Sequence, residues 1–269
     1  MMVLETDEPH PDEQKRRGSF AQILHHHFSS AGESHDPPLD IETDKRFVVA
    51  DKGGRVPKFE DFEGCDAVLI TGSMYDAHGN NPWILELLAV LKELWQRRPD
   101  IHFSGVCFGH QLLCRLLGAS IRPTPDKGWE LGHSKISLTP LGQKLFRVDE
   151  PFVYLHQMHQ DQVAEAPTTE KSGGLLEKGT KVHVWGSSEH TKVQGVYIQG
   201  RLFTTQAHLA FDKPMVEREI ELRVKSGSIT DEDSDDVEMA AATAHLEHDG
   251  ITVAAAILRF FHFEDDGLE

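Results

Sequence analysis

A cysteine stands between two glycines in FSGVCFGHQLL, residues 103–113, where an apolar run gives way to a helical pattern. A thiol attacks as its thiolate, and the positive end of a helix favours that form. Residues 101–106 read as a short buried strand. Beyond Cys107, Leu112, Leu113, Leu116 and Leu117 recur at helical spacing until Gly118 supplies a stop. Strand, G-x-C-x-G, helix is the geometry of a nucleophile elbow with cysteine in place of serine. Gly105 and Gly109 would let neighbouring backbone approach the sharp turn without a Cβ in the way. The N–H of Phe108 offers one oxyanion donor, and the TGS loop at 71–73, with Gly72 at its centre, offers a second. Cys65, before a buried strand, and Cys114, in mid-helix, read as small buried hydrophobes.

A cysteine nucleophile needs a base. With 17 histidines in the chain, position has to choose among them. His110 lies one helical turn from Cys107 and reads as a local polar group. The consecutive His25, His26 and His27 cannot share one helix face. His156 with His159, and His245 with His248, have a spacing a metal could use, but no third ligand converges on either pair, so no metal is expected. His208 differs from all of these. It follows the strand RLFTTQ and precedes a helix near 214–225, on the kind of loop where an α/β sheet assembles its sites.

The elements that must position these residues are legible as strand and helix alternation. Residues 2–5 form a first strand, SFAQILHHHF a helix, 47–50 a second strand and CDAVLITGS a third, ending in a small-residue loop. PWILELLAVLKELWQRR is an amphipathic helix opened by Pro82. The pattern predicts an α/β fold: a largely parallel central sheet flanked by helices on both faces. The second half changes character. HSKISLT, PFVYLH, KVHVWGSS, VQGVYIQ and RLFTTQ are short strands separated by turn residues, with Gly200 at a hairpin. The acidic run at 231–236 reads as a solvated loop capping a helix that begins near Val237. With no internal repeat and no Pro/Ser-rich linker, one domain over residues 1–269 is expected.

Composition narrows the function classes. A net charge of -17 disfavours nucleic acid or an anionic membrane as main partner. Three cysteines without a CxxC pair suit a reducing compartment, and the polar, acidic first residues lack a signal-peptide pattern, so a cytoplasmic location is expected. No P-loop or dinucleotide fingerprint is present, and no cofactor is expected.

GVCFGHQLL, followed about a hundred residues later by QAHLAFD, resembles a class I glutamine amidotransferase domain of the Cys-His-Glu type. ITGSMYDAHGNNPWI is similar to that family's oxyanion loop. GWELG at 128–132 and LHQMHQDQV at 155–163 resemble its stand-alone, GMP-synthase-like branch, which includes γ-glutamyl peptidases. The resemblance runs over most of the chain, to about residue 227. It implies a flavodoxin-like α/β fold and hydrolysis of a γ-glutamyl amide, glutamine or a γ-glutamyl peptide, through a thioester. Cys107 would be the nucleophile and His208 the base and acid, with Gly72 and Phe108 at the oxyanion. Gln111, His159 and Asp161 would lie near the glutamyl group, and any ammonia acceptor would be a separate synthetase. One departure is plain: the family's His-Pro-Glu is here His208-Leu209-Ala210, without the carboxylate that orients the imidazole. Asp212 is the candidate replacement. The alternative is a catalytically degenerate relative kept as a binding or regulatory subunit. An exposed redox-sensing cysteine is a third possibility, which the downstream His208 and the Phe108 beside the cysteine disfavour.

Overall fold

Short runs of apolar residues bounded by polar or small ones set the strands, and their alternation decides which side each residue covers. The computed structural model describes residues 1–124 and 128–265. Its first half runs β1 (Met2–Glu5), α1 (Pro11–Arg17), α2 (Phe20–Glu33), β2 (Asp44–Phe47), β3 (Ala67–Ile70), α3 (Pro82–Arg97), β4 (His102–Val106) and α4 (Phe108–Leu116). The second half comprises β5 (Ile121–Pro123), β6 (Glu130–Leu138), α5 (Pro140–Phe146), β7 (Phe152–His159), β8 (Asp161–Val163), β9 (His183–Ser187), β10 (Gly195–Ile198), β11 (Leu202–Thr205), α6 (Lys213–Ser226), α7 (Ser234–Thr243) and α8 (Gly250–Phe261).

Nine strands form one sheet in the order β2-β1-β3-β4-β11-β10-β9-β6-β7. The α/β architecture is as expected, with a parallel core running from β2 to β11. From β11 to β7 every pairing is antiparallel, so the sheet as a whole is mixed. Among these pairs β10 and β11 are joined by a tight turn, where Gly200, at φ 63°, closes a hairpin that can only be antiparallel. On β1, Val3 joins one apolar cluster while Met2 and Leu4 join the other; on β3, Ala67 and Leu69 alternate likewise with Val68 and Ile70. One face is therefore covered by α2 and α8, the other by α3 and α4.

Two local expectations shift. The second strand is Asp44–Phe47, not 47–50, because Val48 and Val49 are buried in a turn that leads into a 3₁₀ segment at Ala50–Lys52. The acidic run begins α7 itself, at Ser234, with Asp235 and Asp236 in its first turn. There the two carboxylates complement the helix dipole.

Candidate functional site

Parallel strands deliver their loops to one end of a sheet, and β3, β4 and β11 do so side by side. Cys107 is the N-cap of α4 and has φ 52°, a left-handed conformation in which a non-glycine residue is strained. The flanking glycines explain how the turn closes. A Cβ on Gly105 would lie 2.4 Å from the backbone carbon of Gly109, and one on Gly109 would lie 2.2 Å from the Ile70 oxygen. No side chain fits at either position.

His208 comes from the loop after β11. Its N–H donates to the His156 oxygen at 2.9 Å, and its ring stacks on Phe211 with centroids 3.9 Å apart. Cys107 and His208 both flank Gly72, where a Cβ would lie 3.0 Å from His208 Cε1 and 3.6 Å from Cys107 Cβ. The loop that presents Gly72 is fixed by Thr6, whose hydroxyl donates to the Thr71 oxygen (3.0 Å) and the Gly72 oxygen (3.1 Å). Thus the structure brings Cys107, Phe108, Gly72 and His208 into one space.

Burial sets the charge of both central groups. The Cys107 thiol is pushed up to about 11 by desolvation, against the opposing pull of the Arg223 guanidinium and the Phe108 N–H. The expectation of a thiol lowered by its helix is overridden by this burial. The thiol lies 3.9 Å from the Met158 oxygen, to which it donates. His208 is held well below the usual histidine range, first by burial and then by Arg223, His159 and His156. The resting pair is thiol and neutral imidazole.

Asp212 is occupied elsewhere. Its carboxylate caps α6, accepting the Met215 N–H at 3.0 Å, and pairs with Arg16 at 2.7 Å and Arg17 at 3.4 Å. Four residues past His208, it has already been taken up as a helix cap. Among the described residues no carboxylate bonds to His208; its ring is oriented by the Phe211 stack and by its backbone bond to β7. Ala210 shares with His208 the wall of a small apolar cavity that also touches Phe20, Ile23 and Leu24.

A cleft opens over Cys107, bordered by Tyr75, Asp76, Gln111, His159, Asp161 and Arg223. Gln111 Nε2 donates to the Asp161 oxygen at 2.8 Å and to Gln206 Oε1 at 3.1 Å, which fixes its amide. His159 is bracketed by the Asp161 oxygen (2.9 Å at Nδ1) and Glu130 (3.1 Å at Nε2), so both ring nitrogens are engaged. The Asp161 carboxylate meets His78 at 3.1 Å; burial pushes its pKa up. His110 is bound to Thr204 Oγ1 and buried in the core, depressed to about 3 by burial, which suits a structural group. Arg223 went unnoticed in the sequence because its spacing from Glu219 reads as an ordinary surface pair on one helix face.

Comparison with known proteins bears on this geometry. Residues 19–212 match the family described as glutamine amidotransferase class-I. A glutamine amidotransferase-like protein of Schizosaccharomyces pombe is 29% identical over 80% of both chains. Gamma-glutamyl peptidase 3 of Arabidopsis thaliana is 27% identical over 84% of both. A glutamine amidotransferase of Thermotoga maritima superposes with a TM-score of 0.64 over 97% of this chain and 98% of that one, at 17% identity. A strained cysteine at a strand-to-helix turn, a histidine from the strand alongside and a family match across both loops place this chain in the class I glutamine amidotransferase family.

Proposed function

We propose that the protein hydrolyses a γ-glutamyl amide bond, in glutamine or a γ-glutamyl peptide, through a thioester on Cys107. The carrying observation is that Cys107 and His208 flank the same residue, Gly72, and that a cleft reaches the thiol. As Sγ attacks the γ-carbonyl carbon, neutral His208 takes the thiol proton. The carbonyl oxygen becomes an oxyanion facing the N–H groups of Phe108 and Gly72. Collapse breaks the C–N bond, and His208 returns the proton to the leaving amine, which departs as ammonia or a free amino group. Water, deprotonated by His208, then attacks the thioester and releases glutamate and the thiol. Gln111, His159 and Asp161 line the cleft where the glutamyl group would sit. Ammonia released from glutamine would serve a separate synthetase.

The imidazolium formed in the first step has no carboxylate beside it, and Arg223 opposes it. Turnover is therefore expected to be slow. The same observation favours a second reading, a binding subunit that retains the cleft without the chemistry. Glutamate release from glutamine and from γ-glutamyl-glycine by the purified protein decides between them. Slow release abolished by Cys107→Ser and by His208→Asn is the expected outcome. Release that survives both substitutions, or none from either substrate, overturns hydrolysis at this site.

A further inference from the structure

Arg223 is a buried cation on the wall of the cleft, only 6% exposed, and only one arm of its guanidinium is used. Nη1 donates to the Glu219 carbonyl oxygen and to Glu219 Oε2, each at 3.0 Å. Among the described residues, Nε and Nη2 have no hydrogen-bond partner. Those two nitrogens form the side-on edge of the fork, whose spacing matches the two oxygens of a carboxylate. Neither nitrogen is sealed from solvent, so each is open to a ligand oxygen entering the cleft. Ser228, whose N–H donates to the Arg223 oxygen at 2.9 Å, lines the same wall, and α6 is a different segment from α4 and β8, where Gln111 and Asp161 stand.

Resting on the γ-glutamyl reading, we propose that Arg223 receives the carboxylate of the leaving group. The substrate would then be a γ-glutamyl amino acid or peptide with a free C-terminal carboxylate near the scissile bond, in preference to glutamine, whose leaving group is ammonia. Ammonia has nothing to offer the side-on edge of Arg223. A carboxylate one or two bonds beyond the scissile nitrogen would fill it with two charge-assisted hydrogen bonds.

Binding to the Cys107→Ala protein isolates recognition from turnover. Calorimetry with γ-glutamyl-glycine and with γ-glutamyl-glycinamide, which differ only in the leaving-group carboxylate, is expected to favour the acid by about 10–100-fold, the contribution of hydrogen bonds to a charged group. Adding Arg223→Gln should erase that preference, and Arg223→Lys should restore part of it through charge without the fork. Equal affinity for acid and amide, or binding of neither, overturns the assignment without recourse to any Arg223 variant. So does an Arg223→Gln loss as large for glutamine as for γ-glutamyl-glycine, which would put the guanidinium on the α-carboxylate. Acid-selective binding by a protein that hydrolyses neither compound would refute the hydrolase and leave the role of Arg223 standing.

Discussion

At Cys107 the helix N-terminus, the Phe108 N–H and the Arg223 charge all pull toward thiolate, while burial pulls toward thiol and wins. Iodoacetamide should therefore modify Cys107 slowly at neutral pH. The rate should rise about tenfold per pH unit, without levelling near the 8.5 of a free cysteine. Mass spectrometry across pH 7–10 checks this, and a plateau below about pH 9 contradicts it. Sequence alone made Cys107 conspicuous, since G-x-C-x-G between strand and helix is a local signal. It gave no measure of burial, which depends on strands far away in the chain. Ala210 carries the companion prediction. Ala210→Glu would place a carboxylate beside His208, with Arg17, which already donates to the Ala210 oxygen, as a second partner. Turnover should rise by about 10–100-fold, less than the roughly 10⁴-fold effect of the orienting aspartate in a serine triad, because a thiol needs less help. The cavity it enters is apolar, so the thermal midpoint should fall. Kinetics and calorimetry on one variant test both halves.

Among the elements, the turn between β4 and α4 separates packing from chemistry. A Cβ at Gly109 meets the Ile70 backbone at 2.2 Å, whereas a Cβ at Gly72 meets only side-chain atoms, the nearest at 3.0 Å. Gly109→Ala should cost on the order of 1–3 kcal/mol or prevent folding. Gly72→Ala should leave the urea midpoint nearly unchanged and lower turnover on the order of 10²-fold by displacing His208. Equal losses of stability in the two variants would refute the distinction. The parallel core was legible because its strands are apolar, short and followed by helical patterns. β2 was displaced by a few residues because its charged DKRF sits at a sheet edge, while the apolar Val48 and Val49 next to it mark a buried turn. α1 escaped notice because PDEQKRR is polar nearly all round and is held by its ends: His10 caps it and Arg16 ties it to Asp212.

For the whole molecule, buried histidines couple stability to pH. Burial depresses His27 and His156 to about 4 and His110 to about 3, and lowers His102, His208 and His248. A histidine whose folded value lies below its unfolded 6.5 binds protons first in the unfolded chain. Stability is therefore full above about pH 6.5 and falls as pH drops toward the folded values. Each such group contributes on the order of 1 kcal/mol per pH unit in that window. Asp161, raised by burial, works the other way, but it is one group against six. The thermal midpoint should be flat between about pH 7 and 8, drop steeply from 6.5 to 4, and fall again above about pH 9, where thiols kept neutral by burial ionise only in the unfolded chain; a flat profile from 6.5 to 4 would be decisive against it. Which of 17 histidines lie inside could not be read from the sequence, because most stand in segments whose partners are distant in the chain. The same acid range acts on β7, the last strand of the sheet. Along its outer edge the oxygens of Tyr154, His156 and Met158 are taken in turn by the Asp249 N–H, the His208 N–H and the Cys107 thiol. At the opposite margin, β2 displays Asp44, Lys45 and Arg46 to solvent, charges that discourage a second chain from adding a strand. β7 has no such charges and is guarded instead by three separate segments, so an opening that frees His208 uncovers the His156 acceptor, and one that also frees Asp249 and Cys107 uncovers the whole row. Self-association through that row would make aggregation, rather than reversible unfolding, the end point of acid exposure.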